Sequence, residues 1–232
     1  MAAPRGQTLR LEAVTVARGG DRPALVDVSL TLTEPRIGIV GLNGSGKSTL
    51  LKLLVGLVAP TSGRVSVDGR DCTAEAEAVR RDTGFLFQTP DNQIVLPIVA
   101  EDVAFGLKRL KLGKAETAAR VTATLERLGI AALAPRRIHE LSGGERQLVA
   151  LAGILALAPK TILFDEPTSQ LDLRNRNRFR DLLAGLPEQA VVISHDLELI
   201  ADFPRVLVVE DGRIVRDGPA ANALDYYRTR WQ

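Results

Sequence analysis

Apolar residues recur at near-alternate positions in two early stretches, Leu9, Leu11, Val14 and Val16, then Val26, Val28, Leu30 and Leu32, with the turn formers Gly19, Gly20 and Asp21 between them. A period of two marks a strand with one face buried, so the chain is expected to open as an antiparallel sheet. The run Ile37 to Val40 is different: it is short and continuously apolar, as in a strand covered on both faces. A glycine-rich turn follows it and leads into Ser48 to Leu57, where Leu50, Leu51, Leu53 and Leu54 suit a buried helix. Strands of the same buried type are expected at Gly84–Phe87, Thr161–Phe164, Ala190–Ile193 and Val206–Val209, separated by helical patterns. That alternation predicts an α/β fold with a parallel sheet covered on both faces. From Gln88 to Pro159 the strand pattern disappears, and helices are expected at Val99–Leu110, Lys114–Leu128 and Gly144–Leu157, punctuated by Gly129 and Pro135. The reading is one domain over residues 1–232 with a helical sub-domain inserted at about 89–158.

Charge narrows the partners. The 232 residues carry 30 Lys and Arg against 28 Asp and Glu, a net +2. That is too small for a protein held on nucleic acid by counterion release, so anion binding has to be local. The single cysteine, Cys72, excludes an intramolecular disulfide and fits a reducing cytoplasm, where it is read as a bystander. No Cys/His cluster offers a metal site, and the residues from Met1 to Arg5 have no apolar signal-peptide core. No stretch approaches the about 18 apolar residues of a membrane span, so the chain reads as soluble by itself. With its end soon after Tyr226 and Tyr227, no appended regulatory domain is expected.

Gly41, Leu42, Asn43, Gly44, Ser45, Gly46, Lys47 and Ser48 form a phosphate loop between an expected strand and an expected helix. The glycines let successive backbone N–H groups converge on phosphate oxygens, and the helix N-terminus adds its partial positive charge. Lys47 can span the outer phosphates and Ser48 can ligate magnesium. An ordinary glycine-rich turn is the alternative, but the strand and helix on either side argue against it. Asp165 and Glu166 follow the apolar strand Ile162 to Phe164, and strand ends of this kind line the ligand crevice in a parallel sheet. Asp165 would hold magnesium directly or through water, leaving Glu166 to orient or deprotonate an attacking water. A helix cap with a solvated neighbour is the commoner reading of such a pair standing alone.

Leu141, Ser142, Gly143, Gly144 and Glu145 resemble the signature motif of ABC ATPases. Ser142 and the glycines open a helix and so offer N–H groups and a hydroxyl to a phosphate; the Ser142 to Glu145 spacing is also that of a capping box, and both readings can hold together. The resemblance extends from about Leu9 to Gly218 and implies a P-loop NTPase core with an antiparallel β sub-domain and a helical sub-domain. It further implies ATP and Mg2+ as ligands, Thr49 as a further nucleotide contact, and a dimer in which each signature faces the nucleotide on the other subunit's phosphate loop. By the same resemblance Gln88 is similar to the Q-loop glutamine near magnesium and water, and His195 to the switch histidine near the outer phosphate. Ser169, Gln170, Leu171 and Asp172 are similar to the D-loop. The chain departs from the family at three places: Val16, Ala17 and Arg18 stand where an aromatic residue usually stacks on adenine, Gln170 replaces a small residue, and Leu148 replaces a frequent Arg. A guanidinium can stack on a base, so Arg18 is a candidate substitute, against the plainer reading of a solvated turn residue.

Phe87 to Ile94, continuing through Val95, Leu96, Pro97, Glu101 and Asp102, resembles a segment of energy-coupling factor importers, which take up vitamins or transition-metal ions. The short C-terminus is similar to the biotin branch, with cobalt or nickel as the second expectation. The resemblance implies a second ATPase subunit, identical or paralogous, a transmembrane coupling subunit and a substrate-binding membrane subunit, at the cytoplasmic face of the membrane. Gln93 to Pro97 would bound a groove for a membrane partner's helix or form an ordinary surface loop. The competing function is an ABC ATPase acting as a mechanical switch on DNA or ribosomes, which the absence of coiled coils, of a second ATPase domain and of a basic stripe argues against. A small-molecule kinase is disfavoured by the signature.

Overall fold

The computed structural model describes residues 6–17 and 23–231. The chain divides into two compact units, one formed by the residues up to 85, 160–166 and 187 onward, the other by 86–159 and 167–186.

In the first unit β1 (Leu9–Val16) and β2 (Leu25–Leu32) pair antiparallel, and β1 also pairs with β4 (Ser62–Val67), whose outer neighbour is the short β5 (Arg70–Asp71). The missing beat between Leu11 and Val14 is a bulge. Ala13 takes a left-handed φ of 47°, the register shifts there, and the next apolar residues return to the core. Asp27 does the same in β2 with φ 49°, so Leu25 is fully buried and Val26, expected inward, is only half-buried. The turn at 19–21 lies outside the described residues.

The second sheet of this unit runs β10-β9-β3-β8-β7-β6. Its members are β3 (Arg36–Val40), β6 (Thr83–Leu86), β7 (Thr161–Asp165), β8 (Gln189–Ile193), β9 (Arg205–Glu210) and β10 (Arg213–Gly218). The strands β9, β3, β8 and β7 are parallel, as expected, whereas β10 adds an antiparallel edge that the sequence reading did not contain. Helix α1 (Lys47–Leu54) buries Leu50, Leu51, Leu53 and Leu54 in one core cluster with side chains from both sheets. It stops short of the expected Leu57 because Gly56, at φ 63°, turns the chain where a Cβ would lie 2.0 Å from the Cys72 carbonyl. Helices α2 (Ala76–Asp82) and α7 (Ala220–Trp231) complete the unit. Cys72 is buried, and burial with Asp71 beside it pushes its thiol up to about 12, which leaves it inert as a nucleophile.

The second unit is helical: α3 (Val99–Leu107), α4 (Lys114–Arg127), α5 (Gly143–Leu155) and α6 (Leu173–Gly185). The helix expected to reach Leu110 ends at Leu107, and Lys108–Leu110 tightens into a 3-10 turn. Helix α5 is its centre, with Val149, Leu151, Ala152 and Leu155 buried, and α3 packs on it through Val99, Val103 and Leu107. Among the described residues no helix is long and apolar enough to cross a membrane.

Candidate nucleotide site

The phosphate loop connects β3 to α1. Gly46 sits at the helix N-cap with φ 110°, where a Cβ would lie 2.3 Å from the Ala24 carbonyl, and at Gly41 a Cβ would lie 2.2 Å from that of Val209. Only glycine fits either place, so the pattern of the motif is a steric requirement of the first unit as well as a means of exposing N–H groups. Lys47 is 5% exposed and folds back to donate to the Gly41 and Leu42 carbonyls at 2.8 and 2.9 Å. Burial holds its pKa below that of an ordinary lysine, against the pull of Glu166 and Asp165. Ser45 Oγ is buried without a hydrogen-bond partner among the described residues, an orphan donor of the kind that a phosphate oxygen satisfies. Thr49 follows on the first turn of α1, half-buried.

Asp165 ends β7, and its Oδ1 accepts a 2.9 Å hydrogen bond from Ser48 Oγ. This hydroxyl and carboxylate are hard oxygen donors, and among the described residues no cluster of three or more His, Cys, Asp or Glu could hold a metal alone. A cation that takes the rest of its shell from phosphates and water, as magnesium does, fits such a pair. Burial raises the Asp165 carboxyl above the usual carboxylate range, with Glu166 adding to it, while the Ser48 bond, Lys52 and Lys47 oppose.

A carboxyl whose pKa rises on folding is one whose ionisation opposes folding. The cost is absent below its unfolded value and complete once pH exceeds the folded one. Asp165→Asn is therefore expected to unfold at a higher temperature than the parent near neutral pH in the absence of nucleotide, with the two converging in acid, while ATP hydrolysis is lost. Thermal unfolding across pH beside a phosphate-release assay checks both, and an Asn variant less stable at neutral pH would contradict the assigned cost.

Glu166 follows in a left-handed conformation, φ 52°, with its N–H donated to the Ile193 carbonyl. A non-glycine residue there is unusual, and the turn aims its side chain at the loop after β8. His195 Nε2 lies 3.1 Å from Glu166 Oε1 and 3.0 Å from Asn43 Oδ1. Both neighbours are acceptors, so Nε2 carries the hydrogen. The first unit thus brings together Gly41, Asn43, Gly44, Ser45, Gly46, Lys47, Ser48, Thr49, Asp165, Glu166 and His195. The link from Asn43 to His195, across 152 positions of sequence, is a contact that no local pattern announces.

The remaining candidates belong to the second unit. Ser142 is the N-cap of α5 in a complete capping box: its Oγ accepts from the Glu145 N–H at 3.3 Å, and Glu145 Oε2 accepts from the Ser142 N–H at 2.8 Å. The Ser142 hydroxyl also donates to that carboxylate, which the two Ser142 bonds, with Arg136 and Arg178, hold below the usual range. At Gly144 a Cβ would lie 2.5 Å from the Asn175 side chain, so the second signature glycine leaves room for that side chain of α6. Asp172 caps α6, accepting from the Asn175 N–H at 2.8 Å. Gln88 Nε2 reaches Ser169 Oγ at 3.4 Å, and Gln170 Nε2 reaches Thr89 Oγ1 at 3.5 Å. Leu148 is buried in α5, so the departure there serves packing. Near the expected adenine position Val16 is buried and Ala17 exposed, while Arg18 lies outside the described residues.

The family model described as ABC transporter matches residues 25–169. The chain is 57% identical over 209 residues to the biotin transport ATP-binding protein BioM of Rhizobium etli, covering 90% of this chain and 93% of the relative. Among solved structures it is similar to cbiO1 from Clostridium perfringens, described as part of the ABC transporter complex cbiONQ, at 30% identity and TM-score 0.85 with 95% and 92% of the chains covered. A dimeric ATP-binding cassette in a post-hydrolysis state with ADP and phosphate matches at 31% identity and TM-score 0.82, covering 91% and 98%.

Proposed function

The chain belongs to the ABC transporter family and is the ATP-binding, ATP-hydrolysing subunit of an ABC-type importer, and from that premise we propose that it powers an energy-coupling importer of biotin. The observation that carries the chemistry is the placement of Glu166 beside Asp165, whose partner is the hydroxyl of the phosphate loop. The cargo rests on the 57% identity to a biotin transport ATPase. Both compact units form one ATPase domain in this reading.

Lys47 leaves the Gly41 and Leu42 carbonyls to hold the outer phosphates, and the N–H groups of Asn43, Gly44, Ser45, Gly46 and Thr49 take the remaining oxygens. Ser48 and Asp165 would hold magnesium, which when bound would neutralise charge on the outer phosphates. Glu166 orients a water and accepts its proton as the water oxygen bonds to the γ-phosphorus and the bond to the ADP oxygen breaks. His195, which without nucleotide places Nε2 against Glu166 and Asn43, exchanges those acceptors for a γ-phosphate oxygen and donates Nε2–H to it. Ser142, Gly143, Gly144 and Glu145 at the start of α5, with Asp172, meet the nucleotide on a second ATPase subunit, so that ATP favours a closed pair and hydrolysis reopens it.

The membrane partner docks in a groove of about 550 Å³ in the helical unit, lined by Ile94, Val95, Leu96, Pro97, Ile138 and His139 together with the Asp91–Arg146 ion pair. Val95 is 66% exposed, an apolar side chain offered outward. Asp102 accepts from the Val95 and Leu96 N–H groups at 2.7 and 2.8 Å and so fixes that rim. These partners hold the chain at the cytoplasmic face of the membrane, and nucleic acid has no part.

Pull-down of the tagged protein from gently solubilised membranes tests this reading. The expected companions are a small multi-spanning protein and a helical transmembrane scaffold, and the reconstituted assembly is expected to accumulate labelled biotin only with ATP. Two large permease domains with an external solute-binding protein would overturn the energy-coupling assignment, and ribosomes or DNA would overturn transport.

A further inference from the structure

Between the end of α3 and the start of α4 the chain carries Lys108, Arg109, Lys111 and Lys114, and there is no acidic residue from 103 to 115. In a chain whose charges almost cancel, this is a local excess. The backbone makes it an exposed knuckle: α3 ends in the 3-10 turn Lys108–Leu110, Lys111 takes a left-handed φ of 54°, and all four cations are exposed. Two apolar side chains stand among them, Phe105 at 43% and Leu110 at 37% exposure. The Lys108 ammonium lies 4.9 Å from the Phe105 ring centroid, so the aromatic face is dressed with a cation. The opposite face of α3, with Val99, Val103 and Leu107, is buried, which leaves the knuckle as the outer side of the element.

We propose that this knuckle rests on the anionic headgroup surface of the membrane, with Phe105 and Leu110 entering the interface and the cations meeting lipid phosphates. Exposed apolar side chains among flexible cations match a fluid surface, where depth of insertion matters and shape complementarity does not. A nucleic acid is the poorer fit, because the only aromatic face is already covered by an ammonium and no further ring extends it. The position suits the assignment: α3 begins beside the Leu96–Pro97 rim that Asp102 fixes, and its nine residues set the knuckle roughly 14 Å from that rim. The inference goes beyond the transport reading, since it concerns a direct contact between this chain and lipid.

Flotation of the purified protein with vesicles of phosphatidylcholine alone, or mixed with phosphatidylglycerol, tests it. Binding is expected only with the anionic mixture and is expected to weaken as ionic strength rises. Each basic residue at such a surface contributes roughly fivefold, so the triple variant K108Q/K111Q/K114Q is expected to bind on the order of a hundredfold more weakly. Its ATP hydrolysis in solution is expected to match the parent, which shows that the variant folds. A second variant, F105S/L110S, is expected to lose the part of binding that survives high salt. Equal flotation with both vesicle types, or undiminished binding of the triple variant, overturns the proposal. Protein-free vesicles keep this readout apart from attachment through the membrane partners, which both variants are expected to retain.

Discussion

Glu166→Gln is expected to bind ATP as the parent does and to hydrolyse it about 10²–10⁴ times more slowly, the range for loss of a positioned general base. The substitution isolates the proton acceptor. Gln matches Glu in shape, keeps the backbone N–H bond to Ile193 and tolerates φ 52° no worse than Glu does. Its amide oxygen can still accept from His195 Nε2, which lies 3.1 Å from Glu166 Oε1. What disappears is the capacity to take a proton from water. With Lys47, Ser48 and Asp165 untouched, nucleotide still enters, and the ATP-bound pair of subunits is expected to accumulate because its exit by hydrolysis is blocked. Phosphate release, direct nucleotide binding and the mass of the ATP-bound species are the three readouts. Turnover equal to the parent's would remove Glu166 from the chemistry, and loss of binding would place it in the nucleotide cradle.

The elements that proved legible in the sequence are those whose pattern is set by burial on both faces. Strands β3, β7, β8 and β9 lie between layers and read as unbroken apolar runs, and α5 announces itself through its buried face. The missed elements lack that signal. Only the second half of β4 is buried, and β10 is an edge strand with no fully buried residue. In α6 just Phe179 and Leu183 face inward among arginines and asparagines, so no helical period appears. The α2 helix has a single buried residue, Val79. Phase errors came from backbone conformation: Ala13 and Asp27 look unremarkable in sequence, yet their positive φ resets which side chains point inward.

The candidate site divides in the same way. Its motifs could be read by type and order because glycine, lysine, serine and paired carboxylates are each demanded by phosphate chemistry at short spacing. The left-handed turn at Glu166 and the contact of His195 with Asn43 depend on how β3, β7 and β8 lie side by side, which no local pattern carries. The capping roles of Ser142 and Asp172 add a further point. Both side chains are already engaged by their own helices, so meeting a nucleotide means sharing or exchanging bonds that the second unit makes for itself.

Lys47→Ala is expected to act on binding where Glu166→Gln acts on the chemical step. Charge-assisted hydrogen bonds to a phosphate contribute about 1.5–3 kcal/mol each, so the loss of this ammonium is expected to weaken ATP by about 10- to 100-fold or more. The nucleotide-free protein is expected to change little. The bonds to Gly41 and Leu42 are lost, but so is the cost of burying an ammonium, which is the cause of the lowered Lys47 pKa. The two states can therefore be separated by thermal unfolding. At an ATP concentration of about 100 times the parent's Kd, ligand linkage stabilises the parent by about 2.7 kcal/mol; after a 100-fold loss of affinity the same concentration yields only about 0.4 kcal/mol. The expected result is an unfolding midpoint close to the parent's without ATP and a shift on adding ATP that nearly vanishes. A shift as large as the parent's would show that Lys47 bears no phosphate, whereas a lowered midpoint without ATP, with the shift preserved, would make it a structural clamp on the loop.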